Sequence, residues 1–91
     1  MSSRDHQVLY EGARDAVCAV LSFYAEKIDK EERHPLPDMK RINRMVMEGA
    51  RWGTVLASVM APQADLQGIR QQATEELRRL EIDGVKMRDK E

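Results

Sequence analysis

The chain has 91 residues, 42% of them hydrophobic and 34% charged, with a formal net charge of −1. That balance excludes a disordered chain, and the near-neutral charge excludes a global basic field that would draw the whole surface onto nucleic acid or an anionic membrane. One cysteine, Cys18, excludes an intramolecular disulfide and a cysteine-rich zinc site.

A single small domain is expected, with a core that is marginal unless packing is idealised or the chain oligomerises. The opening segment MSSRDHQVLYEGARD mixes charges of both signs and lacks a basic start and a small-residue cleavage site, so no signal peptide is expected. The longest uncharged run, Trp52 to Ala64, falls well short of the ~20 residues that cross a bilayer. No membrane association and a cytoplasmic location follow as expectations. Within AVCAVLSFYA, Cys18 is expected as a buried thiol acting as a small hydrophobe, which suits a reducing compartment.

The first helix is predicted over residues 4–32, with Ser2 and Asp5 as a loose capping box. At 100° per residue, Leu9, Ala13, Ala16, Val17, Val20, Tyr24 and Ile28 define one face. Tyr10 and Leu21 widen it on one flank, and Gly12, Ala19 and Phe23 on the other. The arc reaches roughly 200°, where a helix packed on one side needs a little over 100°. One neighbouring helix cannot cover it, so this helix must touch both other helices or a second subunit. Glu11, Asp15, Glu26, Asp29, Glu31 and Glu32 fall on the polar side as a solvated face.

The segment HPLPD, with Pro35 and Pro37, breaks the helix and removes two backbone donors. The second helix is predicted over 38–61, with Asp38 as N-cap and Ile42, Met45, Gly49, Trp52, Leu56 and Met60 as its apolar face, Val46 and Gly53 alongside. Gly49, Gly53, Ala57 and Ala61 recur every four residues. Such small residues let two backbones approach, and Gly12, Ala16 and Ala19 of the first helix are their expected counterparts, within one chain or between copies. Two interior glycines each cost about 1 kcal/mol of helix propensity relative to alanine, which a close approach would offset. Opposite the apolar face, Lys40, Arg44 and Arg51 point within about 40° of one another, a row able to contact phosphate or to be solvated and paired with acids such as Glu48.

The third helix is predicted over 63–83, with Leu66 as the alternative start, stopped by Gly84 as a left-handed terminator, with residues 84–91 as a charged tail. Leu66, Ile69, Ala73, Leu77 and Leu80 give it a narrow stripe, and Glu75 with Arg79 an i,i+4 pair. The fold class is therefore all-α: a helical hairpin plus a third helix, assembling into an oligomeric, dimeric bundle.

No catalytic, cofactor-binding or metal-binding residue is expected. His6 and His34 belong to no HExxH motif or helical pair, the serines and threonines have no evident base, and no cofactor is implied. Tyr10, Tyr24 and Trp52 read as core or contact aromatics. The methionines of the second helix suit a surface that accepts a partner, and Met47, on its basic side, is the candidate exposed anchor. The sequence thus favours a small non-enzymatic interaction protein that binds and modulates or inhibits a partner protein, as a homo-oligomer. The alternative is an oligomeric bundle in which Tyr10, Lys40, Arg44 or Arg51 hold a small anionic ligand such as a nucleotide. A nucleic-acid-binding dimer is the weaker alternative, because the proline-rich break is unlike the tight turn of a helix-turn-helix.

Overall fold

Three helices in series form the molecule in a computed structural model, which describes the backbone of residues 3–89 and the side chains of residues 5–82. They are α1 (Ser3–Glu32), α2 (Met39–Val59) and α3 (Leu66–Asp89). No strand occurs among the described residues. Ser2, half of the expected capping box, lies outside them, as do Lys90 and Glu91 of the charged tail.

The breaks are made by backbone chemistry. Between α1 and α2 the prolines leave few donors, and side chains catch two of them. The Leu36 N–H donates to His34 Nδ1 at 3.3 Å, and the Asp38 N–H donates to Glu31 Oε1 at 3.1 Å. Asp38 caps α2 as expected, its carboxylate accepting from the Arg41 N–H at 3.2 Å. At its far end α2 stops at Val59, two residues earlier than predicted. The Met60 and Ala61 N–H groups turn back to Ala57 and Ser58, because the residue before Pro62 is disfavoured in helical geometry.

Of the two expected starts of α3, the structure takes Leu66, because Asp65 caps it: the Asp65 carboxylate accepts from the Gly68 N–H at 3.1 Å, and its carbonyl accepts from the Ile69 N–H. The far end differs from expectation. It does not stop at Gly84 but runs to Asp89, and no described glycine has positive φ. One interior glycine costs only about 1 kcal/mol, too little to end a helix whose following residues, Val85 to Asp89, can all continue it.

The helix α1 lies centrally, packed along both α2 and α3, while α2 and α3 barely meet. The main core joins Val17, Val20 and Tyr24 of α1 to Met45 and Trp52 of α2 and to Ala73 and Leu80 of α3. A smaller cluster, Ala13, Val59 and Leu66, closes the end near the second turn, with Leu9 and Tyr10 against it. Val17 and Val20 are wholly buried, each stabilising by about 1.5–3 kcal/mol relative to exposure. The wide arc of α1 is thus covered by its own two partners and calls for no second copy. The result is a flat slab, 53 × 24 × 15 Å.

Candidate functional site

The surface of α2 divides into four strips. Inward, Ile42, Met45, Trp52 and Val59 are buried. Val59 takes the place expected of Met60, which is 75% exposed, since the helix ends before Met60 can turn inward. Val46, expected beside the apolar face, is half exposed.

On the side towards α3, an open groove of about 520 Å³ runs between the two helices, lined by Arg51, Trp52, Val55, Gln72, Glu75, Glu76 and Arg79. Both arginines there are neutralised by acids. Arg51 pairs with Glu48 at 3.3 Å and lies over the Trp52 ring, and Arg79 pairs with Glu76 at 2.6 Å. The Arg79–Glu76 pair is an i,i+3 contact, where the sequence pointed to Glu75 at i,i+4.

On the side away from α3 lies the small-residue seam, and here the structure corrects the sequence reading. A Cβ built at Gly49 or Gly53 would meet nothing within 4 Å, and Ala57 and Ala61 are exposed. The expected counterparts on α1 face elsewhere. Gly12 lies beneath the Arg70 side chain of α3, 3.4 Å from a built Cβ, and Ala16 and Ala19 follow Gly12 on that flank at helical spacing. No close crossing of α1 and α2 uses the seam. Large side chains (Ile42, Met45 and Trp52) hold those two helices together instead.

The basic row faces outward. Lys40 and Arg44 are exposed and carry no ion pair among the described residues, and Met47 beside them is 72% exposed. Tyr10 does not join this row. It packs near Val59 with Arg14 over its ring, and about 28 Å of helix separates Val59 from Lys40. Within one chain these residues form no common ligand pocket.

A polar node sits where the three helices converge, and sequence reasoning missed it. The Glu76 side chain, 9% exposed, accepts from the Tyr24 hydroxyl at 2.8 Å and from Arg79 Nε and Nη2 at 2.9 and 2.6 Å. Burial pushes its carboxyl up, but the hydrogen bonds from Arg79 and Tyr24 and the Arg79 charge outweigh this and hold it below its ordinary value. Tyr24 is pushed up to about 12 by burial, by its bond to Glu76 and by the negative charges of Glu76 and Glu48. The buried Trp52 indole N–H also favours the ionised Glu76, yet its geometry falls short of a hydrogen bond, leaving Nε1 without a partner. The signal available in the sequence was Tyr24 itself: a tyrosine on a core face needs an acceptor for its hydroxyl, and acids edging the α3 stripe are the candidates.

Cys18, expected to be buried, is exposed, because it falls on the edge of α1 that neither neighbour covers. Among the described residues no group of histidine, cysteine and carboxylate side chains could hold a metal ion, and no helix is long and apolar enough to cross a membrane. Comparison with family models, curated proteins and solved structures found no match, so the functional reading rests on the chain's own geometry.

Proposed function

We propose that this chain is a non-enzymatic helical interaction protein that binds a partner protein and modulates it, with α2 presenting the contact. The observation that carries the reading is where the exposed large hydrophobics lie. Among the described residues five of the seven exposed large hydrophobics, Leu36, Met39, Val46, Met47 and Met60, lie on α2, at its C-cap or in the break that leads into it. Exposed apolar surface gathered on one element marks an interaction site, and methionine adapts its shape to what it meets. Lys40 and Arg44 flank Met47, so the partner surface that fits is apolar with an acidic rim, the charges steering encounter and fixing register. The polar node supports a non-catalytic role, since Tyr24, Glu76 and Arg79 hydrogen-bond one another.

The test is retention of a partner from native lysate on the immobilised protein, compared with Met47→Glu and Arg44→Glu. A stoichiometric partner should bind the wild type, and each variant should weaken it at least about tenfold, or 1.4 kcal/mol, with unchanged helicity. Equal retention by both variants, or no stoichiometric partner at all, overturns the proposal.

A further inference from the structure

We infer that the groove between α1 and α3 around Arg70 and Arg78 binds a small ligand carrying an oligophosphate group. The site shares no residue with α2, so it goes beyond the partner reading and does not depend on it.

The first support is the distribution of ion pairs. Arg14, Arg33, Arg51 and Arg79 each pair with an acid. Arg70 and Arg78 have neither an ion pair nor a side-chain hydrogen bond among the described residues. Both line one open groove of about 440 Å³, together with Gln67, Gln71 and Glu75 of α3 and Leu9 of α1. Small-molecule sites span about 300–1,000 Å³. Glu75 is the one acid in the lining, and its carboxylate accepts from Gln71 Nε2 at 3.5 Å instead of meeting either arginine. Two positive charges thus face one negative charge there, in a chain whose net charge is −1.

The second support is the way Arg70 is held. A Cβ at Gly12 of α1 would lie 3.4 Å from Arg70 Cδ and Nη1 and 3.5 Å from Nε. The absence of a side chain at Gly12 therefore lets the guanidinium rest along α1 with no acid taking it. A guanidinium already held loses less freedom when a ligand binds. Its planar fork offers donors that match phosphate oxygens two at a time.

The third support is spacing. Gln67, Arg70, Gln71 and Arg78 follow one face of α3, and the eight residues from Arg70 to Arg78 span about 12 Å of helix. An anion that meets both forks needs several charged oxygens spread along its length, which an oligophosphate has and a single carboxylate lacks. The Gln67 and Gln71 amides add uncharged donors beside them. A long nucleic acid fits less well, since two arginines neutralise few phosphates and the net charge of the chain opposes the rest.

Titration with inorganic triphosphate, followed by amide chemical shifts and by calorimetry, tests this. Binding should saturate in the micromolar to millimolar range, weaken as salt rises, and shift the amides of residues 67–78 and Gly12 most. Arg70→Gln and Arg78→Gln should each weaken it at least tenfold with unchanged circular dichroism. Arg33→Gln, beyond the far end of α1, should bind as the wild type does. Failure to saturate, equal weakening by Arg33→Gln (diffuse surface charge), or shifts centred on α2 would each overturn the inference. So would a single-stranded oligonucleotide bound more tightly than triphosphate, which would make the groove part of a nucleic-acid surface. Failure here is separable from failure of the partner reading. Met47→Glu should lose the partner and keep triphosphate, and Arg70→Gln should do the reverse.

Discussion

Glu76 is the residue on which the most depends, because it ties the Tyr24 hydroxyl of α1 and the Arg79 guanidinium of α3 into a single polar contact. A hydrogen bond to a charged acceptor contributes about 1.5–3 kcal/mol when buried, and partial exposure of the node lowers that figure. Tyr24→Phe keeps the ring that packs on Val20 and Trp52 but removes the donor, so it should lower stability by about 1–2 kcal/mol in urea denaturation. Its pH signature is directional. The unfolded chain protonates Glu76 at its ordinary value of 4.5, before the folded chain does. The stability this group contributes is therefore whole above that range and lost as pH falls through its lower folded value. For Tyr24 the raised value works at the other end. The unfolded phenol ionises near 10.0 and the folded one near about 12, so stability is whole below the first and lost as pH rises through the second. The wild type should lose stability across that alkaline window, and Tyr24→Phe should lose less. Equal alkaline loss in both proteins would remove Tyr24 as its cause.

At the scale of the element, α2 carries two interior glycines that its own chain does not require. Neither Cβ would meet an atom within 4 Å, so Gly49→Ala and Gly53→Ala should each stabilise the protein by up to about 1 kcal/mol of helix propensity, read as a higher melting temperature. A fall in stability for either variant would mean that a neighbour already fills that space. The inward faces were legible in the sequence: Ala13, Val17, Val20 and Tyr24 on α1 and Ile42, Met45 and Trp52 on α2 follow the 3.6-residue period and are buried. The Asp38 cap was legible because proline precedes it and the apolar period follows. What periodicity could not resolve was the neighbour each flank meets. Gly12, Ala16 and Ala19 have the composition of a partner for Gly49 and Gly53, but composition carries no direction, and α3 occupies that side. Asp65 went unread as a cap because Pro62 three residues earlier is an equally good helix start.

For the whole molecule, the slab geometry makes α1 the element that everything else depends on. Native-state hydrogen exchange should therefore show its slowest amides in α1 between Ala13 and Tyr24, whose core side chains are buried from both sides, with α2 and α3 opening at lower free energy. Slowest exchange in α3 would contradict this order. The all-helical class and the chain order of the elements were legible, and so was the exposure of Met47, which falls outside every apolar arc. The Glu76 node was not, because it exists only once α3 is laid against α1. The thin contact between α2 and α3 has a statistical-mechanical consequence. Once α1 is formed, the conformational partition function of the chain nearly factorises into one term for each outer helix, coupled through the connecting turn and the few contacts between α2 and α3. Free-energy changes from substitutions on the outer surfaces of α2 and α3 then simply add. Either surface can drift in sequence without compensating change on the other.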